Sequence, residues 1–483
     1  MLGCLSCVRE ELATPVGGAS GGEGWLMLDF GVNKQVSVQT KATLPEYAEG
    51  RVLNMYVVVF DKDGNKLSSG FFDASDLMSK EDEVSNGDRN CWFVSNPKSA
   101  TDTPNSATGK VLMKSAAGTD LTVYVIANLD SDMAKVSSDL LSSTIHYEYD
   151  IQNFEVFLNQ TTLSRNGYFP MTCKVGHVSI SESNSGNVAR TDIGGVQLER
   201  IDSKIKFIFK TGNTPDAKGQ TIEKFEARQW RVVNVPRKSY LLSYEDRGVT
   251  ESESCGHDIV NVDPTTSPDK YSEYAAGFFT TDFVNFEEFP ADGSAEFSFY
   301  MMENRQKPKK TLTNYQDRSR AIKDKEGLNK SCQVSYTLNG VDYTRDMRLF
   351  EYANDFSTYV VVTGYVTMSL HDDEAGKVLG GDVEYLIHLG DWGSSNGNYN
   401  IERNTSYTYT VTINSLNSIR VEVETSQAGQ TFTENQPGAT GQISIAKGSQ
   451  KGLDYTNELG DNVAEYGGIK TPYYLFVFNN GFT

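Results

Sequence analysis

The apolar residues of this chain come in short runs of roughly four to eight, each closed by Gly, Asn, Asp or Ser, and that texture specifies strands rather than helices. Trp25-Leu-Met-Leu-Asp-Phe-Gly-Val32 places Leu26, Leu28, Phe30 and Val32 on one face by the period of two, and Val36 and Val38 extend it. Leu53-Asn-Met-Tyr-Val-Val-Val-Phe60 is apolar on both faces, as a central strand requires. Further strands are expected at Lys110–Lys114, Leu121–Ala127 and Val175–Ile180. A short helix is expected over Asp130–Leu141, where Met133, Val136 and Leu140 fall at helical spacing. Asp61-Lys-Asp-Gly-Asn-Lys66 reads as a hairpin turn; its Gly sits at the wrong place for a calcium loop. The fold class is therefore all-β, with few short helices.

The 483 residues exceed what one hydrophobic core organises, so the chain divides. We read 1–21 as a leader remnant and Gly/Ala/Ser-rich tether, 22–198 and 199–425 as two β-sandwiches, and 426–483 as a tail. The boundary falls near Leu198, at a Gly194-Gly195 break. Beyond it, Ile205, Phe207 and Phe209 alternate with Lys204, Lys206, Ile208 and Lys210, giving a strand with one wet face. Phe225–Val235 carries Trp230 and is stopped by Pro236, which has no N–H to give a ladder. Tyr244–Gly293 reads as extended loops, and Phe297–Arg305 as a strand ending in a polar corner. Tyr359–Thr367 and Asp382–Leu389 read as a sheet pair. Gly381–Gly390, a polar turn, the corner Ile401-Glu402-Arg403-Asn404 and Tyr407–Ile413 read as an antiparallel pair joined by a loop. In the tail, Tyr473-Tyr-Leu-Phe-Val-Phe478 is a candidate strand that needs a cover, its own or a neighbour's.

Charge and chemistry exclude several functions. Sixty-four acidic against 44 basic residues leave a net charge of −20, and no basic surface exists for nucleic acid. The five histidines, His146, His177, His257, His371 and His388, share no metal-ligand spacing, and no Cys-x-x-Cys faces another. No Gly-x-Ser-x-Gly sits between strand and helix, and no Gly-rich loop precedes a helix. We expect no catalytic set, metal or cofactor. Cys91, Cys173, Cys255 and Cys332 are scattered singly, as small buried residues of a sandwich are. Cys4 and Cys7 stand apart at the start. Leu5-Ser6-Cys7, followed by an acidic tether, has the look of a lipoprotein junction, with Cys7 the better lipidation candidate. The basic and apolar regions of a full signal are missing, so the recorded start reads as internal to a longer product.

Several segments, taken in order, resemble the fimbrillins, the pilus subunits of Bacteroidia. They are the Trp25 strand, the Lys41-Ala42 break, Val57-Val-Val-Phe60, Val125-Ile-Ala-Asn128, Phe169-Pro-Met-Thr172, Val196–Phe209, Trp230–Pro236, Phe299–Asn304 and Ile401–Asn404. The resemblance covers most of residues 25–425. It implies two tandem transthyretin-like β-sandwiches, export as an outer-membrane lipoprotein and polymerisation into a surface fibre by β-strand donation between pilin subunits. It implies processing at the Lys41-Ala42 bond, where the family has arginine and this chain has lysine. The long tail with Glu434-Asn-Gln-Pro-Gly-Ala-Thr-Gly441 is closer to accessory or tip-like relatives. The alternative is a surface-anchored glycan-binding lipoprotein, in which loop aromatics Tyr271, Tyr274, Phe278 and Phe279 would stack on sugars, although a plain core role suits the same aromatics better. A host glycan or protein is the further partner on either reading.

Overall fold

The protein is described here from a computed structural model covering residues 22–32, 46–77, 90–99, 101–102, 106–129, 138–158, 160–165, 168–184, 189–212, 221–249, 262–286, 295–311, 318–369, 378–390, 398–415, 418–427 and 450–454. Strands dominate it. The first half contributes β1 (Glu23–Val32), α1 (Glu46–Glu49), β2 (Met55–Phe60), β3 (Lys66–Phe72), β4 (Cys91–Ser95), β5 (Thr108–Ala116) and β6 (Gly118–Ala127). It continues with α2 (Ser138–Thr144), α3 (Glu148–Gln152), β7 (Glu155–Phe157), β8 (Met171–Ile180) and β9 (Arg190–Arg200).

Eight of these strands form one sheet in the order β3-β2-β6-β8-β9-β1-β5-β4. Its middle is its weakest seam: β8 and β9 pair only at Met171↔Arg200 and Thr172↔Glu199, so the sheet folds over there into two layers. At the opposite side β3 meets β5, where the buried hydroxyls of Ser68 and Ser115 share a 2.6 Å hydrogen bond. Leu26, Leu28 and Phe30 of β1 face Val57, Val59, Val123 and Val125 of β2 and β6 across the core. All six residues of β2 are buried, in accord with its apolar run on both faces. Its outer face (Tyr56, Val58, Phe60) packs under Leu141 of α2 and Ile151 of α3, and against Leu241, Leu242 and Met302 of the second half.

The second half contributes β10 (Asp202–Thr211), β11 (Thr221–Val233), β12 (Val235–Pro236), β13 (Lys238–Tyr240), α4 (Tyr244–Arg247), α5 (Pro268–Ala275), β14 (Phe278–Phe279), β15 (Val284–Asn285) and β16 (Ala295–Met302). Then come β17 (Ser331–Leu338), β18 (Val341–Arg348), β19 (Tyr359–Ser369), β20 (Val378–His388), β21 (Thr405–Ser415), β22 (Ser418–Gln427) and β23 (Gln450–Asp454). Sheet β16-β10-β21-β22-β23 faces sheet β15-β11-β19-β20 across a second core. Aromatic stacking fills that core: Trp230 lies 4.0 Å from Phe297 and Phe207 4.8 Å from Tyr409, ring centre to ring centre. Such pairs add roughly 0.5–1.5 kcal/mol beyond their buried area.

The two halves repeat one arrangement. In each, the first strand lies between an antiparallel neighbour and a parallel one: β1 between β5 and β9, β10 between β16 and β21. Strands β2 and β19 belong to different sheets.

Five expectations are corrected. First, Gly381–Gly390 and Tyr407–Ile413 are not an antiparallel pair; β20 pairs with β19 and β21 with β10 and β22, so the polar link crosses from one layer to the other. Local alternation specifies strands, whereas their partners depend on contacts distant in sequence. Second, the lysine face of β10 is not wet at its start, because Lys204 and Lys206 are buried beside carboxylates. Third, Gly194-Gly195 is not a break. Strand β9 runs through it with one extra residue opposite β1, Gly194 taking a φ of 84°. The chain changes sheet at Ile201, just past Leu198. Fourth, Tyr244–Gly293 is not all loop, since it holds α4, α5 and two short strands. The expected helix at Asp130–Leu141 overlaps α2 from Ser138, and 130–137 lie outside the described residues. The hairpin β17–β18 has no counterpart in the sequence reading. Fifth, Tyr271 and Phe278 are buried, and Tyr274 half-buried, in a core with Phe356, Val334 and Met347, and Phe279 is buried in the core between the two sheets, so these aromatics are core residues rather than an exposed stacking cluster.

Candidate assembly groove

Strand β1 is held along its whole length on both sides. Glu23 to Gly31 pair with Ala116 to Thr108 of β5, and Trp25 to Val32 pair with Arg190 to Leu198 of β9. Leu26 and Leu28 are fully buried, and Phe30, Val32 and Trp25 nearly so. Phe30 stacks on Trp92 at 6.4 Å, with Gly109 opposite it; a Cβ at Gly109 would stand 2.2 Å from the Phe30 ring and from the Phe93 carbonyl. The outward residues make ion pairs at the rim, Glu23 with Lys114 at 2.6 Å and Asp29 with Lys110 at 3.7 Å. Those exposed pairs contribute little, on the order of 0–1 kcal/mol. The buried apolar side chains hold the strand, at roughly 1.5–3 kcal/mol each. Without β1, the core would open along a groove with an unpaired edge on either side, β5 and β9.

The chain on either side of 33–45 returns to a single residue. The Val32 amide donates to the Ala107 carbonyl at 3.2 Å, and the Ala107 amide donates to the Gly50 carbonyl at 2.8 Å. Downstream of that point the chain is anchored independently of β1. Glu49, fully buried, accepts from the Lys204 ammonium at 2.6 Å and the Tyr300 hydroxyl at 2.7 Å, and its carbonyl accepts from Arg200 Nε at 3.1 Å. The three partners come from β9, β10 and β16, so Glu49 ties the start of the chain after α1 to the joint between the halves.

The corner Ile401–Asn404 belongs to the same joint. Arg403 reaches Glu303 at 2.7 Å and the carbonyls of Tyr240 and Leu241 at 2.9 Å. Asn404, in the left-handed region at φ 54°, donates its amide to Asp202 O. Ser203 donates to the Glu402 carbonyl, and the Tyr407 hydroxyl accepts from the Glu402 amide at 2.9 Å. Arg165 and Asp202 close the cluster with a buried pair at 2.6 Å. Sequence reasoning singled out the corner by its polar pattern but missed Glu49 and Lys204. A lone glutamate in a loop and a lysine in an alternating strand give no local signal of pairing.

Cys7, Lys41 and Ala42 lie outside the described residues, as do Cys4, Cys255, His257, His371 and Tyr473–Phe478. Cys91 is buried, and Cys173 and Cys332 are half-buried thiols. Burial pushes the Cys173 thiol up to about 12, far from reactive thiolate. Among the described residues no three His, Cys, Asp or Glu side chains gather as a metal site, and no helix is long and apolar enough to cross a membrane.

His388 is a structural residue with a measurable signature. It is fully buried against Phe350 and Tyr359, with Ser319 Oγ 2.9 Å from its Nδ1. Desolvation first, then the nearby charges of Arg318 and Lys309, hold its pKa well below the usual 6.5. Its contribution to stability is therefore present above pH ~6.5 and is lost as pH falls towards the folded value, because the unfolded chain alone takes the proton. The expected slope is up to about 1.4 kcal/mol per pH unit. Urea midpoints at pH 7.5 and 5.5 check it: His388→Phe should flatten the drop relative to the parent protein.

Comparison with known proteins adds a neighbourhood. A family model described as a domain of unknown function, DUF4906, matches residues 299–411, from β16 into β21. No curated protein matches. The tip fimbrial protein Mfa3 of Porphyromonas gingivalis, with a C-terminal truncation, is 12% identical at a TM-score of 0.40, covering 83% of this chain and 99% of its own. A fimbrilin, FimA, of the same organism is 11% identical at 0.38, with 81% and 90% covered. The fimbrial anchor protein Mfa2 of Porphyromonas gingivalis is a further neighbour, 9% identical at 0.31 over 84% and 98%.

Proposed function

We propose that this protein is a non-enzymatic subunit of a surface fibre, that β1 is the strand it gives up, and that the vacated groove receives a strand from the next subunit. The observation that carries the reading is the seating of β1. It is the first strand of the described fold, paired on both sides through backbone and core side chains. Val32, before the connection 33–45, and Gly50, after it, both hydrogen-bond to Ala107. One cut in that connection frees β1 from the rest of the chain, while Glu49 keeps the new terminus at the joint. Lys41-Ala42 is the candidate bond. The incoming strand binds by β-augmentation, with ladder hydrogen bonds for affinity and alternate side-chain pockets for selection. The units that exchange are the two sandwiches, 22–198 and 199–425, joined through Ile201 and the Glu49–Lys204 cluster. Tail 426–483 is the candidate donor or docking strand; β23 within it already pairs with β22 at the sheet edge.

Cys7 is the candidate lipid anchor when the upstream signal is present, placing the subunit at the outer membrane; acyl chains contribute about 0.8 kcal/mol per buried methylene. The glycan-binding alternative, as framed on Tyr271, Tyr274, Phe278 and Phe279, is disfavoured by the burial of Tyr271, Phe278 and Phe279.

Treatment of the purified protein with a trypsin-like protease tests the reading. Cleavage with Ala42 as the new first residue, followed by multimer ladders that resist detergent, is the expected result. An unbroken Lys41-Ala42 bond with β1 retained would make the subunit one that ends or anchors a fibre. Cleavage at Lys41 without any multimer would overturn strand exchange.

A further inference from the structure

The outer face of sheet β15-β11-β19-β20 carries a shaped depression that the assembly reading does not use. It has a volume of about 520 Å³, and Arg228, Gln229, Asn285, Thr363, Asp382 and Glu384 line it. That volume lies within the ~300–1,000 Å³ of small-molecule sites. Two backbone devices shape it. Strand β11 has a bulge between Ala227 and Gln229, so Arg228 is an extra residue re-aimed out of the ladder. Gly364 faces the bulge, and a Cβ there would stand 2.6 Å from the Glu226 carbonyl.

The charged side chains of the lining are paired. Arg228 pairs with Asp382 at 2.7 Å and Arg348 with Glu384 at 3.2 Å. Gln229 donates to Asn285 Oδ1 at 2.9 Å, while Thr363 stands opposite both Gln229 and Glu384 in register. The Arg228 guanidinium sits 5.6 Å from the centre of the Tyr365 ring. Arg228 is the one cation among the lining residues, and Arg348 reaches Glu384 from outside the lining. Each carboxylate therefore already has a guanidinium partner, and neither charge is left over for a phosphate or a metal ion. Guanidinium, carboxamide, hydroxyl and carboxylate groups together offer both donors and acceptors. A ligand whose every polar group both donates and accepts fits such a lining.

We propose that this depression is a subsite for a neutral saccharide. The hydroxyls bond to the amides of Gln229 and Asn285, to Thr363 and to the carboxylates, and the half-exposed Tyr365 borders one side. The site is independent of β1 and of assembly, so a subunit locked as a monomer carries it.

Saturation-transfer NMR on the full chain tests it, with four neutral oligosaccharide probes ending in glucose, galactose, mannose or N-acetylglucosamine. At least one is expected to bind. Thr363→Trp, which fills the depression, and Asp382→Asn, which removes a charged acceptor and the partner of Arg228, are each expected to weaken that binding about tenfold or more. Thr367→Ala, on the same strand beyond the depression, should leave it unchanged and controls for folding, with circular dichroism on each variant. No binding by any probe overturns the proposal, and so does equal binding by Thr363→Trp. Self-association through this face, seen by sedimentation and lost in Thr363→Trp without any sugar signal, would assign it to a second copy of the chain and overturn it as well.

Discussion

Truncating Leu28 to alanine is expected to destabilise the first half by about 2–5 kcal/mol, the range for deleting a fully buried leucine from a packed core. The residue sits mid-strand in β1, beside the irregularity in β9, and faces the valines of β2 and β6. Asp29→Ala, one position on and outward, removes only a rim pair at 3.7 Å with Lys110 and should cost about 1 kcal/mol or less. The contrast between neighbours is the informative part. If core burial retains the strand, a fall in urea midpoint follows residues 26, 28, 30 and 32 and skips 27 and 29. Comparable losses at Leu28 and Asp29 would mean that the ladder, not the core, holds β1.

The second large effect is expected at the joint. Lys204→Met leaves the Glu49 carboxylate buried without its ammonium and should cost about 3–5 kcal/mol. Adding Glu49→Gln should return most of that loss, because the remaining amide can still accept from Tyr300 and no charge is stranded. The double variant therefore separates a buried ion pair from mere packing, and a double-mutant cycle read in urea measures the coupling. If both single variants cost under about 1 kcal/mol, Glu49 does not anchor the chain after α1 and the joint is held by the Arg403 corner alone.

Much of the fold was legible in the residues because a strand's period of two is a local property. Leu26, Leu28, Phe30 and Val32 share a buried face as the alternation requires. Tyr359–Thr367 pairs with Asp382–Leu389, and Asp61–Lys66 makes the hairpin turn, its first carboxylate accepting the amides of Asp63 and Asn65. Partner choice was not legible. Nothing in Tyr407–Ile413 says that its neighbour is β10 in parallel, some two hundred residues earlier in the chain. Burial of lysine was hidden for the same reason. Lys204 has the pattern of a solvent face, and only the arrival of Glu49 and Tyr300 from distant segments makes that face interior. The hairpin β17–β18 escaped because its alternation is diluted by polar residues on an exposed face, with Val334, Tyr336 and Met347 buried and Cys332 and Leu338 packed beside them. The outer depression was invisible too, since it depends on a bulge and on four strands meeting.

The claim that β1 is the exchanged strand is tested most directly by locking it in place. Asp29 and Lys110 stand directly opposite one another on β1 and β5, with both side chains outward. A doubly substituted protein, Asp29→Cys with Lys110→Cys, can be oxidised to join the two strands and released again by reductant. After protease treatment, the oxidised form is predicted to stay monomeric and the reduced form to build detergent-resistant multimers. Equal assembly by the oxidised form, with the cross-link verified by mass spectrometry, would contradict the account.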